Sequence, residues 1–555
     1  MKKLLLTLLS LCGFHLSAQM TADWYAAGYG PEIDYSGAMT RDNNGNLISA
    51  GTMGSSATFS ATTLSGNDDF DKGIFIAKYE ASGQLLWAKR LPATYISIVS
   101  DVEADSDGNI FITGDFVDSV DFDPSSAQTV LTADSPQMYL AKYSPNGDLL
   151  WVHDFTLSEE LYEKNLAIDE NGNVYIAGTV SYSVDFDPSG NTAIIPGSDS
   201  NQMVLASYGP AGNYRWAFPI ATSYETSAFE FKNNKIYVAG KASGNTDLDP
   251  SAATVIIGPD FTGIFVAQYD TTGNFLSAFG LGQENQNVVM HGVAIDNAGN
   301  ISITGVFSGS VDFDPSSSEA ILTQDNSGIY IAKYSNVGNY FWAKSLADPD
   351  FKVPYEIATD NNGNIAVAGN FRNSFDIDPG DNEELIEAAF GFDIFVTRLD
   401  ANGNFLDGQR IGHDYDAIKG DGYDRLGDIV LLTDTLYVSG GIAGDFDFDA
   451  DGPLLPMEND PNDSTGLSAF LVKYSVEPFL SVTENTFNSS FFAYPNPTNG
   501  ILTLENNLEP ISLYDVFGRC LATYPSSQTT IDISTVSTGT YLLKTPTTSI
   551  KILKK

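Results

Sequence analysis

The chain is poor in cysteine and in positive charge. Its 555 residues include two cysteines, Cys12 and Cys520, and the first lies in a segment that we expect to be removed, so the mature chain has no internal disulfide. Lysine and arginine number 27 against 71 aspartates and glutamates, which gives a formal net charge of −44. Such a surface repels phosphate backbones and anionic lipid headgroups. We therefore expect no nucleic-acid partner.

Sequence motifs of the common enzyme classes are also missing. The chain has no phosphate-binding glycine loop with a lysine, no nucleophile-elbow serine, no paired histidines at metal-ligand spacing and no Asp-box pattern. Its least repetitive stretch is residues 411–428. If the protein has an active site, the candidate residues lie there: His413, Tyr415, Tyr423 and Arg425.

No apolar run is long enough to cross a bilayer, so we expect no transmembrane segment. The N-terminus, MKKLLLTLLSLCGFHLSAQ, has two lysines, a short leucine-rich stretch and Ala18 before Gln19. This is the layout of a secretory signal peptide. We expect residues 1–18 to be removed and the protein to be secreted, either to the extracellular space or to the outer-membrane surface.

What the chain does contain is a repeat of about 64 residues. Relatives of GNVYIAG (172–178) end on glycines spaced 62 to 65 residues apart, with 71 at the last step: Gly51, Gly114, Gly178, Gly240, Gly305, Gly369 and Gly440. Each copy is accompanied by three more short elements rich in aliphatic and aromatic residues, with turns between them. Seven units of four antiparallel strands predict an all-β fold, a seven-bladed β-propeller over residues 19–475.

The position of the tryptophans predicts how this ring closes. One strand of the unit carries all five: Trp24, Trp87, Trp151, Trp216 and Trp342. Ser277 and Asp407 take the position in the other two units. The last unit ends near Tyr474 without an outer strand of its own. We therefore expect the N-terminal strand around Trp24 to complete the last blade and to remove a free sheet edge.

The repeat motif, DxxGN…YVTG with a following Asp-Phe, resembles the bacterial β-propeller repeats found in many secreted proteins. The resemblance covers about residues 20–476. It implies a fold and a secreted habit, but no single activity.

A different module follows a linker at 476–490, which is rich in Ser, Thr and Asn. Residues 491–555 contain YPNPTNGILTLE, ISLYDVFGRCL, IDISTVSTGTYLLK and IKILKK, short strands that would suffice for a small β-sandwich. These motifs closely resemble, in order, the C-terminal sorting domain of type IX secretion substrates in Bacteroidetes. The resemblance implies that residues 491–555 interact with the type IX machinery and a sortase-like peptidase, which commonly removes the domain. The alternative is a carbohydrate-binding sandwich of unrelated purpose.

Pairs of aspartates follow the repeat glycines by seven residues. These pairs, between the second and third strands of each unit, are Asp121 and Asp123, Asp185 and Asp187, Asp247 and Asp249, Asp312 and Asp314, Asp376 and Asp378, and Asp447 and Asp449. In a propeller they would converge on one face. Either each carboxylate accepts hydrogen bonds from its own loop, or the crowded carboxylates bind a hard cation such as calcium. Their repetition favours the first interpretation.

The last of these loops is longer and fits a calcium-binding pattern. In DFDADGPLLPME, the residues at positions 1, 3, 5 and 12 of the Asp-x-Asp-x-Asp-Gly-x5-Glu loop are Asp447, Asp449, Asp451 and Glu458. Flanking helices are missing and Leu455 is apolar where a polar ligand is usual. A repeat pair that happens to precede a turn is the alternative interpretation. Calcium is the only cofactor that the sequence predicts.

Three functional classes follow from these features. The favoured one is an exported binding or scaffold protein whose acidic propeller face binds a glycan or protein ligand. The second is a glycan-active propeller enzyme that cleaves polysaccharides, and the third is a structural component of the envelope.

Overall fold

The computed structural model describes residues 20–30, 34–66, 72–95, 97–155, 162–180, 182–197, 202–222, 228–243, 246–257, 262–282, 287–348, 353–388, 391–412, 424–443, 446–448, 456–457, 467–476, 492–494, 496–505, 510–515, 519–526, 528–545 and 549–555. The chain divides into an N-terminal body, Met1–Phe479, and a C-terminal body, Leu480–Lys555. These ranges contain antiparallel strand pairs and no helix, which confirms the predicted all-β fold. It follows that they hold no helix able to span a membrane.

The N-terminal body begins with β1 (Thr21–Tyr29) and continues in four-stranded antiparallel groups, numbered here as repeats. Repeat 1 contains β2 (Tyr35–Arg41), β3 (Leu47–Met53), the hairpin β4 (Ser56–Phe59) and β5 (Thr62–Ser65), β6 (Lys72–Tyr79) and β7 (Leu85–Ala93). Repeat 2 contains β8 (Ile98–Ala104), β9 (Ile110–Asp121), β10 (Val130–Tyr143) and β11 (Leu149–Phe155). Repeat 3 contains β12 (Tyr162–Ile168), β13 (Val174–Val180), the short pair β14 (Val184–Asp185) and β15 (Ile194–Ile195), β16 (Gln202–Tyr208) and β17 (Tyr214–Thr222).

The remaining groups follow the same order. Repeat 4 contains β18 (Ala228–Lys232), β19 (Lys235–Ser243), β20 (Thr262–Asp270) and β21 (Phe275–Leu281). Repeat 5 contains β22 (Asn287–Ile295), β23 (Ile301–Asp312), β24 (Ile321–Tyr334) and β25 (Tyr340–Asp348). Repeat 6 contains β26 (Val353–Thr359), β27 (Ile365–Phe371), the pair β28 (Ser374–Asp376) and β29 (Leu385–Glu387), β30 (Asp393–Leu399) and β31 (Phe405–Ile411). Repeat 7 contains β32 (Arg425–Leu431), β33 (Thr435–Ala443), the pair β34 (Phe446–Asp447) and β35 (Pro456–Met457), and β36 (Leu467–Ser475).

Repeat 7 takes its fourth strand from the other end of the body. Strand β1 pairs antiparallel with β36, from Thr21 opposite Ser475 to Gly28 opposite Ala469. Asp23 on β1 accepts a hydrogen bond from Lys473 Nζ at 2.6 Å. The first and last strands of the body therefore share one sheet, in the pairing that the tryptophan position predicts.

The repeats are apolar on both sheet faces because each is covered by its neighbours. All seven residues of β13 are buried. Phe111 and Leu140 of repeat 2 lie in one buried cluster with Val174 and Val204 of repeat 3. Packing between successive repeats therefore builds the core.

Four of the tryptophans, Trp24, Trp87, Trp151 and Trp342, donate a hydrogen bond to a turn of the following repeat. Trp87 on β7 donates a hydrogen bond from Nε1 to Pro145 O, at 3.3 Å, in the tight turn before β11. That turn contains Gly147 at a φ of +79°, where a Cβ would lie 3.0 Å from the Trp87 ring. Trp24 on β1 makes the same contact with Ala81 O at 3.2 Å. Strand β1 therefore ties repeat 7 to repeat 1 as well as to β36.

The repeated lysines of the third strands hold the turns between the first and second strands. Lys142 Nζ lies 3.1 Å from Asp105 Oδ2, and both side chains are buried. Asp105 Oδ1 also accepts backbone N–H groups from Asp107 at 3.0 Å and Asn109 at 2.9 Å. Each DxxGN turn of this kind thus satisfies its aspartate locally.

The described residues of the C-terminal body form two sheets. One contains β37 (Phe492–Tyr494), β38 (Ile501–Glu505) and β41 (Thr530–Asp532), and the other contains β39 (Ile511–Asp515), β40 (Cys520–Tyr524), β42 (Gly539–Lys544) and β43 (Ser549–Lys554). Leu502 and Ile531 from the first sheet share a buried cluster with Leu513 and Leu543 from the second. This is the arrangement of a small β-sandwich.

Candidate binding site at the ends of the first strands

The first strands of the seven repeats line one channel of about 490 Å³. Each first strand contacts the first strand of the following repeat, and β32 contacts β2. Residues of all seven strands contribute to the channel wall. Side chains of one face of each strand therefore converge on the same space.

A β-bulge in the first strand sets which side chains face this channel. In repeat 2, Val99 lies opposite the closing glycine Gly114, and the register shifts by one residue before Asp101. A Cβ on Gly114 would collide with Ile98 O, so this backbone approach requires glycine. The repeated glycine and the bulge together direct the residue after the bulge into the channel.

Five carboxylates reach the channel from these positions. Three stand directly after a bulge: Asp101, Glu356 and Asp428. The other two, Glu103 and Glu230, each lie opposite the residue three positions before the closing glycine of their repeat. The sequence did not predict them, because they lie in otherwise apolar strands and belong to no repeated motif. One regularity in the sequence points to two of them: Asp101 and Glu356 each stand four residues before the aspartate of a DxxGN turn.

Several of these carboxylates bridge neighbouring strands. Asp101 Oδ2 accepts a hydrogen bond from Leu166 N on β12 at 2.7 Å. Asp428 Oδ2 on β32 accepts one from Met39 N on β2 at 2.9 Å. Glu103 Oε2 accepts one from Thr40 Oγ1 at 3.0 Å. The channel acids therefore link repeat 2 to repeat 3, repeat 7 to repeat 1, and repeat 1 to repeat 2.

Burial raises the pKa of every one of these acids. The pKa of Glu230 is raised to about 8, first by burial and then by the negative charge of Glu103, although Lys232 opposes the shift. Burial also raises the pKa values of Asp101, Glu103, Glu356 and Asp428, against the effect of the hydrogen bonds that Asp101, Glu103 and Asp428 accept. At a pH between their ordinary and raised pKa values, these acids therefore stay protonated while exposed carboxylates are ionised.

A second cavity of about 480 Å³ opens where three of the first strands begin, and is named here the end cavity. Its lining residues come from β2, β26, β32 and the ends of repeat 6: Tyr35, Val353, Tyr355, Glu356, Asn370, Phe392, Asp424, Arg425, Leu426 and Gly427. Glu356 and Gly427 also line the channel. The end cavity and the channel therefore adjoin one another.

Arg425 supplies the positive charge of the end cavity. Its side chain is exposed, and its charge lowers the pKa values of Tyr35 and Tyr355, which burial raises more strongly. The Tyr355 ring is 43% exposed. Tyr35 donates its hydroxyl to Leu426 O at 2.7 Å. The cavity thus presents the Arg425 guanidinium beside the rings of Tyr35 and Tyr355.

Asn370 fixes the floor of the end cavity. Its amide nitrogen donates to Asp424 O at 2.7 Å and to Asp393 O at 3.2 Å, and its amide oxygen accepts from Leu426 N at 3.3 Å. Buried polar groups with their hydrogen bonds satisfied make a rigid support. The site is therefore largely pre-formed.

The sequence pointed to part of this cavity. Of the four catalytic candidates, Arg425 lies in it, while His413, Tyr415 and Tyr423 lie outside the described residues. The long connection singled out at 411–428 ends on β32, which explains why its last residues reach the site. Tyr35, Tyr355 and Glu356 come from other repeats and were not predicted.

The repeated acidic pairs hold their own loops together. Asp312 Oδ1 accepts backbone N–H groups from Asp314 at 3.0 Å and Ala320 at 2.8 Å, and Asp314 Oδ1 accepts one from Ser316 at 2.9 Å. The same three bonds recur in repeats 2, 3, 4 and 6 on the pairs Asp121 and Asp123, Asp185 and Asp187, Asp247 and Asp249, and Asp376 and Asp378. These contacts are those expected of the loop-holding interpretation.

The predicted calcium loop falls largely outside the described part of the chain. Asp449, Asp451 and Glu458 are not in it, and only the backbone of Asp447, in β34, is described. Within the described ranges, no three His, Cys, Asp or Glu side chains lie close enough together to hold a metal ion. The calcium site stays a prediction.

Residues 493–555 match the family described as the secretion system C-terminal sorting domain. The chain is also 26% identical over 456 residues to an uncharacterized WD repeat-containing protein, L264, of Acanthamoeba polyphaga mimivirus. That match covers 66% of this chain and 32% of the relative, so the chain spans about a third of the relative's length.

Solved structures give weaker similarities. A PL25 polysaccharide lyase, ulvan lyase, bound to -[GlcA(1-4)Rha3S]- has a TM-score of 0.37 and 10% identity, over 81% of this chain and 97% of the lyase. PorZ, a surface component of the type IX secretion system of Porphyromonas gingivalis, has a TM-score of 0.17 and 11% identity, over 96% of this chain and all (100%) of PorZ. TM-scores this low establish neither a shared fold nor a shared function.

The sorting-domain match agrees with the C-terminal motifs and with the two-sheet body that contains them. Residues 493–555 are therefore a C-terminal sorting domain of the type IX secretion system, and the chain is an all-β repeat protein that is exported to the cell surface or beyond.

Proposed function

We propose that this protein is an exported binding scaffold and that its ligand binds in the end cavity. The observation that carries the proposal is the convergence of unrepeated residues, Arg425, Tyr355 and Glu356, in a cavity of about 480 Å³. Binding sites are usually concave, largely pre-formed and lined by aromatic rings with a few polar groups. The proposal thus moves the site from the acidic loops, whose carboxylates accept local hydrogen bonds, to the cavity on the same end of the repeats.

The scaffold proposed is a closed ring of seven blades. Three contacts support it: the pairing of β1 with β36, the hydrogen bond from Met39 N to Asp428, and the contact of Trp24 with Ala81. Each joins repeat 7 to a part of the chain near the N-terminus. A ring leaves no free sheet edge for another chain to pair with.

Export is proposed to involve residues 1–18 as a signal peptide and a sortase-like peptidase that removes the C-terminal domain. The layout of the N-terminus and the four C-terminal motifs support these two steps.

Calcium bound by Asp447, Asp449, Asp451 and Glu458 is proposed as a stabilising ion of repeat 7, and the loop spacing supports it.

The binding proposal is tested by filling the cavity. Val353→Trp places a large ring at the first residue of β26, which lines the cavity. Ile98→Trp is the matched control, because Ile98 is the first residue of β8 and lies opposite Asp115, as Val353 lies opposite Asn370.

Both variants and the wild type would be screened against arrays of oligosaccharides and peptides. We expect at least one ligand to bind the wild type and Ile98→Trp but not Val353→Trp. A screen in which every bound ligand tolerates Val353→Trp would refute the site. Incubating the same oligosaccharides with the wild type and looking for shortened products tests the enzyme alternative.

A further inference from the structure

We infer that the ligand of the end cavity is an acidic saccharide, in which Arg425 binds a sugar carboxylate and the Tyr355 ring packs against the sugar face. The inference rests on the proposed binding function and adds the chemical class of the ligand. Two features of the lining carry it: the exposed guanidinium, and the aromatic rings of Tyr35, Tyr355 and Phe392 around the same space.

The guanidinium favours a carboxylate. A planar guanidinium offers parallel N–H donors that match the two oxygens of a carboxylate. Arg425 is exposed at the start of β32, within the electrostatic reach of the Tyr35 and Tyr355 hydroxyls. The position is notable in a chain with a formal charge of −44, because a guanidinium in a cavity provides a local site for an anion on an acidic protein.

The other acids of the cavity do not cancel this charge. Burial and the neighbouring Asp428 and Asp101 raise the pKa of Glu356 well above its usual range, which favours its neutral form. Asp424 is buried, and its Oδ1 accepts a hydrogen bond from Ala443 N at 2.8 Å. Arg425 lines the same cavity with an exposed side chain, which a ligand can reach.

The aromatic rings favour a sugar over a flexible acidic chain. A pyranose ring has an apolar C–H face and a polar rim, and the negative face of an aromatic ring attracts such C–H groups. The half-exposed Tyr355 ring offers such a face, while Glu356 and the Tyr355 hydroxyl offer hydrogen bonds to the rim. A volume of about 480 Å³ lies in the range of small-molecule sites.

The experiment is calorimetric titration of the full chain with tetramers of galacturonate, mannuronate and guluronate, and with the same tetramers after reduction of their carboxylates to alcohols. We expect at least one uronate tetramer to bind the wild type about tenfold or more tightly than its reduced form, the difference of one charge-assisted contact.

The variants separate the two contacts. Arg425→Ala should weaken uronate binding about tenfold or more and leave the reduced tetramer unaffected, whereas Arg425→Lys should retain part of the affinity. Tyr355→Phe keeps the ring and loses only the hydroxyl's contact with the sugar rim, so it should retain most of the affinity, whereas Tyr355→Ala should lose it for both forms. Arg372→Ala is the matched control, because Arg372 is an exposed arginine just after β27 that does not line the cavity. Thermal melting checks that each variant folds.

The inference is overturned if no uronate tetramer binds the wild type, if the reduced form binds equally well, or if Arg372→Ala weakens binding as much as Arg425→Ala. In those cases a ligand of another class that Val353→Trp excludes still supports the proposed function. If Val353→Trp excludes no ligand of any class, the proposed function itself fails.

Discussion

Aspartate and glutamate side chains in this protein differ in pKa according to the place of each in the repeat. Although burial acts to raise the pKa of Asp42, hydrogen bonds from Asn46 in its turn and from Lys78 on β6 lower it below the usual value. For Glu230 in the channel, no such hydrogen bonds oppose the effect of burial, and its pKa is about 8. The same kind of group therefore stabilises the turns when ionised and the channel when protonated.

Glu230 should make the protein less stable as the pH rises. Its pKa is about 8 in the folded chain against 4.5 ordinarily, so the folded state binds more protons between these values and the free energy of unfolding falls across this window. Below pH 4.5 the stabilisation is fully present. Glu230→Gln should reduce the fall in the free energy of unfolding between pH 5 and pH 8 by on the order of 1–3 kcal/mol, as measured by urea denaturation.

The control for this experiment is Glu170→Gln, which removes the same charge from an exposed residue. This variant should leave the pH dependence of the free energy of unfolding nearly unchanged. The charged groups that act on Glu230 in the channel are Glu103, Lys232 and Asp428. If both variants reduce the pH dependence of stability equally, the effect comes from the net charge and not from the channel.

At the scale of single elements, the loops between the second and third strands of repeats 2 to 6 are each closed by one aspartate. Asp312 accepts two backbone N–H groups that are eight residues and two residues away from it. An acceptor that spans a loop in this way substitutes for the strand ladder that the loop lacks. The repeated pair is therefore explained by backbone satisfaction in the five repeats where its contacts are described.

Asp312→Ala should destabilise the protein by about 1–3 kcal/mol, because two backbone donors lose their acceptor. Asp312→Asn should cost less, since its amide oxygen still accepts. Chemical denaturation with and without a chelator measures both effects. If the chelator lowers the stability of the wild type as much as Asp312→Ala does, and does not affect the variant, the pair holds a cation instead.

The longer loop of repeat 7 should respond to calcium. An ion that binds only the folded state at a hundredfold excess over its Kd adds about 2.7 kcal/mol to the free energy of unfolding. The rise in melting temperature should disappear in the double variant Asp449→Asn with Glu458→Gln. Asp314→Asn with Glu319→Gln in the loop of repeat 5 removes the same charges and should keep the rise. Equal responses in both would exclude this loop as the site.

For the whole molecule, the proposed closure of the ring depends on β1. Its Trp24 contacts repeat 1 while its backbone pairs with β36 of repeat 7. Trp24→Ala should therefore cost as much as Trp151→Ala, which removes the same contact between repeats 2 and 3. Each ring is only partly buried, so roughly 2 kcal/mol is expected against the 3–5 kcal/mol of a fully buried ring. A negligible loss for Trp24→Ala alone would indicate an open chain of repeats.

The mature protein should lack both ends of the chain. Intact-mass analysis of protein from the native organism should find a first residue near Gln19 and a last residue within about 476–491, because the sorting domain is expected to be removed after export. Secreted protein that retains residues 550–555 would contradict removal of the tail.

The sequence by itself determined what depends on local periodicity. Alternating short apolar elements, repeated glycines and turn signals predict strands and their order, and the displaced Trp24 predicts the pairing of β1 with β36. The sorting domain was equally readable, because its motifs follow one another within some sixty residues (493–555).

Only the tertiary structure decided where the unrepeated residues meet. Tyr35, Glu356 and Arg425 are far apart in the sequence and share the end cavity because three first strands begin at the same place. The channel acids could not be predicted for the same reason, because a carboxylate in an apolar strand acquires its raised pKa from side chains of other repeats. Strand formation depends on neighbours in sequence, whereas burial and electrostatics depend on neighbours in space.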